Sequence, residues 1–123
     1  MPLRGKKILL IDDSKFMLHH YKAILEKYNA KTIFASRGDE ALEMLEKMES
    51  LPDLILCDII MPCMNGYEFR EKLQQKDRLN SIPLIFLSAN AIEEPCLTKE
   101  EYIKKPFTEE VFISKVKTAL GLH

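Results

Sequence analysis

At 123 residues the chain is sized for one domain, burying roughly two thirds of the surface that its unfolded form exposes. Lys and Arg number 18 against 19 Asp and Glu, so the charges nearly cancel and no basic field marks a nucleic-acid or acidic-membrane ligand. No run approaches the ~20 apolar residues of a membrane span, and the opening Met1 to Lys7 lacks a cleavage-site pattern, so the expected address is cytoplasmic. The three cysteines, Cys57, Cys63 and Cys96, are odd in number and lack C-x-x-C spacing. They read as free thiols in a reducing compartment, with neither a disulfide framework nor a zinc site.

The first expected strand is Lys7 to Ile11, running directly into Asp12 and Asp13. Ser14 or Asp13 then caps a helix in which Phe16, Met17, Ile24, Leu25 and Tyr28 fall near helical spacing, up to a stop at Asn29. Lys31 to Ala35 alternates as a shorter strand, placed near the sheet edge because its polar positions need water. Ser36 with Asp39 and Glu40 resembles a capping box one side chain short and opens a helix through Ala41, Leu42, Leu45 and Met48. Ser50-Leu51-Pro52-Asp53 breaks it. Leu54 to Cys57 is wholly apolar and reads as a central strand covered on both faces, which delivers Asp58 to its C-terminal end.

A Pro-Cys-Met-Asn-Gly loop follows, then a helix from about Tyr67 to Gln75 with Phe69 and Leu73 on one face. Ile82 to Leu87 is the fourth strand and runs into Ser88 and Ala89. From Asn90 to Glu101 the chain is acidic, short and interrupted by Pro95, so one turn and a loop are expected there. Tyr102 to Lys105 makes a short fifth strand, and Thr108 caps a last helix with Val111, Phe112, Val116 and Leu120 inward. Strands alternating with helices at this rhythm give an α/β fold: a doubly wound parallel sheet with helices on both faces, joined by right-handed crossovers.

In such a sheet the strand ends meet along one edge, where ligands bind. Asp12, Asp13 and Asp58 brought together there repel one another unless a hard cation sits among them. Mg2+ suits the donors, since it takes one or two carboxylates with waters and commonly shares them with a phosphate. The backbone carbonyl of Ile60 is within chain reach of an ion held by Asp58. With charge neutralised, Asp58 is a candidate nucleophile towards phosphorus. Phosphoryl transfer needs mainly positioning and positive charge, which Lys105 can supply as a compact ammonium. Ser88 can donate a hydroxyl hydrogen bond, and the small Ala89 leaves room for a phosphoryl group. An Asp-Asp pair alone is as often a helix cap, and a Lys-Pro alone a surface turn. The combination at successive strand ends is much more specific.

The order Asp12-Asp13, Asp58 with Met61-Pro62 and Gly66, Ser88-Ala89, and Lys105-Pro106-Phe107 resembles the receiver domain of two-component response regulators, over essentially the whole of residues 1–123. That resemblance implies a single domain with a five-stranded sheet in the order 2-1-3-4-5. It implies that Asp58 takes a phosphoryl group from a sensor histidine kinase or phosphotransfer protein. Asp13, Asp58 and the Ile60 carbonyl would hold Mg2+, with Asp12 helping through water, and Lys105 would contact the phosphate. Ser88 and Tyr102 would form the switch pair whose motion changes binding of a downstream protein partner. The span between Ser88 and Lys105 is shorter than the family's usual length, so the family's fourth helix is expected to be shortened or replaced by a loop.

Two other readings compete. A receiver that keeps the fold as an interaction module without phosphorylation would account for the altered 90–101 segment. A Mg2+-dependent phosphatase with an aspartate nucleophile would need a general acid two residues after Asp58, where Ile60 stands. The expectation is therefore a switch and not a multiple-turnover enzyme. It stands alone or is part of a longer chain, and it has no direct nucleic-acid or membrane partner. His19 and His20 are adjacent on a helix and point to different faces, so they do not form a metal pair. A redox pair of Cys63 and Cys96 is disfavoured, because nothing in the spacing fixes their distance. Met61 and Met64 read as loop packing.

Overall fold

A computed structural model describes residues 3–89 and 101–122. Five strands, β1 (Lys7–Ile11), β2 (Lys31–Ala35), β3 (Leu54–Asp58), β4 (Leu84–Ser88) and β5 (Tyr102–Lys104), form one sheet in the order β2-β1-β3-β4-β5, every pair parallel. Between and after them run α1 (Lys15–Lys27), α2 (Gly38–Lys47), α3 (Gly66–Gln74) and α4 (Glu109–Ala119). The expected doubly wound sheet and its strand order are both present. Residues 90–100, on which the expected loss of a helix bears, lie outside the described residues, as does Cys96. No described helix is long and apolar enough to cross a membrane.

The period-two alternation of the strands divides the core in two. Ile8, Leu10, Leu54, Leu56, Ile85 and Leu87 face the cluster that takes in Leu18, Tyr21 and Leu25 of α1 and Phe112 and Val116 of α4. Leu9, Ile11, Ile55, Cys57 and Phe86 face the opposite cluster, with Ala41 and Leu45 of α2 and Phe69 and Leu73 of α3. Leu54, Ile55, Leu56 and Cys57 are all 0% exposed, as a strand covered on both faces requires. β2 is the edge strand expected from its polar positions.

Caps set the helix starts. Ser14, not Asp13, caps α1, its Oγ accepting the Met17 N–H at 3.3 Å, and Asn29 beyond the helix end sits at φ +72°. The cap expected at Ser36 is displaced by one residue: Arg37 is the N-cap and makes no side-chain capping bond. Glu40 instead reaches back to the Ser36 N–H and hydroxyl. α3 begins at Gly66 and not at Tyr67, because Asn65 and Glu68 form a full capping box. β4 starts at Leu84, after Pro83, two residues later than expected. Lys105 falls just past β5.

Two expected core residues are outside. Phe16 is 79% exposed, because the buried face of α1 is set by Leu18, Tyr21 and Leu25, spaced three and four apart, and Phe16 lies off that stripe. Val111 is 46% exposed for the same reason, the inward stripe of α4 being Phe112, Ile113 and Val116. Arg78, beyond α3, donates to the carbonyls of Leu45, Glu46 and Met48 and so ties off the C-terminal end of α2.

Candidate functional site

Strand register brings the chemistry to one edge. Ile11 pairs with Cys57, Asp58 with Leu87, and Ser88 with Lys104. Asp12, Asp58, Ser88 and Lys105 therefore emerge at the C-terminal edge of four adjacent strands. The Asp12 N–H donates to the Ala35 carbonyl at 3.2 Å and the Lys105 N–H to the Ser88 carbonyl at 2.7 Å, which extends the ladder past the last paired residues on both flanks.

Asp12, Asp13 and Asp58 each offer a carboxylate oxygen, and these three atoms lie within 4.8 Å of one another. Asp12 is 1% exposed, Asp58 partly buried and Asp13 exposed, so the cluster opens to solvent on the Asp13 side. Asp12 Oδ1 accepts the Ser14 N–H at 2.9 Å, and Oδ2 lies 3.5 Å from the Tyr21 hydroxyl, which donates to it. Lys105 Nζ stands 3.8 Å from Asp58 Oδ1 and 3.9 Å from Asp12 Oδ2. One ammonium thus faces two of the three carboxylates.

Burial pushes the Asp12 carboxyl up to about 6, helped by repulsion from Asp58 and opposed by the Ser14 N–H and Lys105. Asp58 is likewise raised by burial, against the pull of Lys105 and of the Ile60 and Ile59 backbone N–H groups. Beneath it, burial and the two carboxylates drive the Cys57 thiol upward, so Cys57 is an inert core thiol. Hard oxygen donors short of positive charge suit a small divalent ion with a phosphoryl group beside it.

The loop after Asp58 is held by a close approach. The Gly66 N–H donates to the Ile59 carbonyl at 2.7 Å, and a Cβ on Gly66 would lie 2.7 Å from the Asp58 carbonyl oxygen and 2.9 Å from Ile59 Cα. Only glycine lets the N-terminus of α3 sit this near the strand end. In the same loop Met61 is buried and Met64 packs against the α2–α3 cluster, the loop packing expected of them, while Cys63 is exposed. Ile60 is 65% exposed at the rim.

Ser88 is 5% exposed at the end of β4, and Ala89 after it is exposed. Tyr102 pairs with Phe86, two register positions back from Ser88, on the same face of the sheet. Its partly buried ring carries the Lys115 ammonium 5.5 Å from the centroid, and its carbonyl accepts from Lys115. His19 and His20 diverge as expected, one against Phe34 and the other stacked on Phe107. Tyr21 is the site residue that sequence reasoning missed. It sits in the apolar stripe of α1 three residues after Leu18, and nothing in that spacing says where its hydroxyl goes.

Residues 8–117 match the family model of the response regulator receiver domain. The polar-differentiation response regulator DivK of Brucella anthropi is 32% identical over 121 residues, covering 94% of this chain and 97% of that protein. The sensor histidine kinase CheAY of Helicobacter pylori is 31% identical over 121 residues, but the chain spans only 15% of that protein's length. Among solved structures, the signal receiver domain of a histidine kinase from Syntrophus aciditrophicus superposes with a TM-score of 0.84 at 32% identity, covering 95% of this chain and 91% of the other. The receiver domain of a Pseudomonas aeruginosa sensor histidine kinase, solved with magnesium coordinated in its active-site cleft, shares the fold with a TM-score of 0.83 at 24% identity, over 95% and 98% of the two chains.

Proposed function

This chain belongs to the response regulator receiver domain family, and from that premise we propose that Asp58 is its phosphoacceptor, charged by a sensor histidine kinase or a phosphotransfer protein. The observation that carries the reading is the set of three carboxylates within 4.8 Å, faced by Lys105 at 3.8 Å from Asp58. Asp13, Asp58 and the Ile60 carbonyl would hold Mg2+, with Asp12 acting through water. When bound, the ion supplies the positive charge that lets an anionic phosphoryl group approach an anionic nucleophile.

A carboxylate oxygen of Asp58 attacks phosphorus, an O–P bond forms, and the N–P bond of the donor phosphohistidine breaks to release the imidazole. Lys105 pairs with the incoming oxygens, whose charge replaces that of the carboxylates it now faces. The Ser88 hydroxyl donates to the same group, and Ala89 leaves space beside it. Drawing Ser88 towards the phosphoryl group would free room for the Tyr102 ring to turn inward, and the altered surface would change binding of a downstream protein. Residues 1–123 act in this reading as one receiver domain with a cytoplasmic address. It is a switch charged once per cycle, not a multiple-turnover enzyme.

The test is intact-protein mass after incubation with Mg2+ and acetyl phosphate, with Asp58→Asn alongside. A gain of one phosphoryl group, blocked by EDTA and absent in the variant, is the expected result. No gain in the wild-type protein, with Mg2+ shown to bind, would replace this reading with that of a non-phosphorylated interaction module.

A further inference from the structure

Tyr21 is 0% exposed, yet it carries a hydroxyl, and burying a phenol oxygen is unfavourable unless it is hydrogen-bonded. The ring is locked in a stack, 5.9 Å from Phe112 at an interplanar angle of 6° and 6.1 Å from Phe107 at 28°. A phenylalanine would pack there equally well. What the hydroxyl adds is a donor 3.5 Å from Asp12 Oδ2, the oxygen left over after Oδ1 accepts the Ser14 N–H. The same ring lies beneath Lys105, whose Nζ is 6.0 Å from its centroid. Tyr21 therefore touches both an acid and the cation of the site while its own orientation is set by the aromatic core. A carboxylate offers about four acceptor positions, so Asp12 keeps capacity for a cation or its water after both bonds are made.

We infer that Tyr21 is a positioning residue for the divalent cation: its hydroxyl fixes the Asp12 carboxylate, and its ring supports Lys105, so that the acidic cluster is preorganised before the ion arrives. The inference rests on the reading of this cluster as a Mg2+ site. Its logic is that of outer partners which hold a metal ligand in one orientation and whose loss weakens the metal.

Isothermal titration calorimetry of Mg2+ into the unphosphorylated chain tests it, comparing wild type, Tyr21→Phe and Phe107→Leu. Tyr21→Phe keeps the stack and removes only the donor, and it is expected to weaken Mg2+ binding about tenfold. Phe107→Leu thins the same stack without touching the hydroxyl, and it is expected to lower the unfolding midpoint while keeping wild-type Mg2+ affinity. Unchanged or tighter binding in Tyr21→Phe overturns the inference, as does equal weakening in both variants, which would make the effect one of packing. A wild-type chain that binds no Mg2+ overturns the metal reading itself and this inference with it, a result distinct from the loss of Tyr21's role alone.

Discussion

Lys105 Nζ stands 3.8 Å from Asp58 Oδ1, inside ion-pair range but beyond a direct hydrogen bond. A second carboxylate, on Asp12, pulls it from 3.9 Å. The ammonium is thus shared between two acids and committed to neither, leaving it free to shift to a third anion. Lys105→Met should slow phosphoryl uptake from acetyl phosphate by about 100-fold, the scale of losing one preorganised charge partner, while calorimetry still detects Mg2+. Uptake at the wild-type rate would remove Lys105 from the chemistry.

Gly66 and Asp58 are coupled through backbone. A Cβ at Gly66 would meet the Asp58 carbonyl oxygen at 2.7 Å, and backbone atoms cannot swing aside as a side-chain tip can. Gly66→Ala should destabilise the chain by about 1–3 kcal/mol in urea unfolding, as overpacking does. Because the strain falls on the proposed phosphoacceptor, phosphoryl uptake should fall too. A variant as stable as wild type would mean that α3 can draw back without cost.

Acidity offers a further check. Folding raises the Asp12 carboxyl from its ordinary 3.8 to about 6 and lifts Asp58 as well, chiefly by burial. In the window between those values the folded chain holds protons that the unfolded chain has released, so stability in EDTA should fall as pH rises from about 4 to about 6. For Asp12 the shift corresponds to at most about 3 kcal/mol. Asp12→Asn, which retains an oxygen for the Ser14 N–H, should flatten that slope and raise stability at neutral pH by about 1–3 kcal/mol. Urea unfolding across this range would count against it if the wild-type chain grew more stable with rising pH. Protons also compete with Mg2+ for these oxygens, so affinity should weaken as pH falls below about 6.

Ile60 closes the rim beside Asp58 with an apolar side chain that is 65% exposed. It offers nothing to orient a water for attack on an acyl phosphate. Self-dephosphorylation should therefore be slow, and Ile60→Asn should shorten the phosphoryl lifetime several-fold. Following the mass of the phosphorylated chain after donor removal measures both. A wild-type half-life of seconds or less would refute the first, and an unchanged lifetime in the variant the second.

The strands and their acids were legible from local pattern alone. Leu54 to Cys57 is apolar throughout because helices cover both faces, and polar residues stand where β1, β3 and β4 end, so one-dimensional reading recovers both elements and edge. Caps were less legible. Ser36 and Arg37 compete for one helix start, and the reach of Glu40 back to Ser36 decides it. Which faces turn inward was harder still, since Phe16 and Val111 are as apolar as their buried neighbours and only the rotation of a packed helix leaves them outside.

The site divides in the same way. Residue type and order along the chain determined that three carboxylates, a hydroxyl and a lysine fall at the ends of neighbouring strands. Only the tertiary structure decided that Lys105 stands between Asp12 and Asp58, and that Tyr21, eight residues into the chain after Asp13, turns its hydroxyl back onto Asp12. The physical reason is range. Strand and helix periods are set by neighbours within a turn or two, whereas a hydrogen bond from a buried ring depends on how a helix docks against a sheet, which many distant contacts settle together.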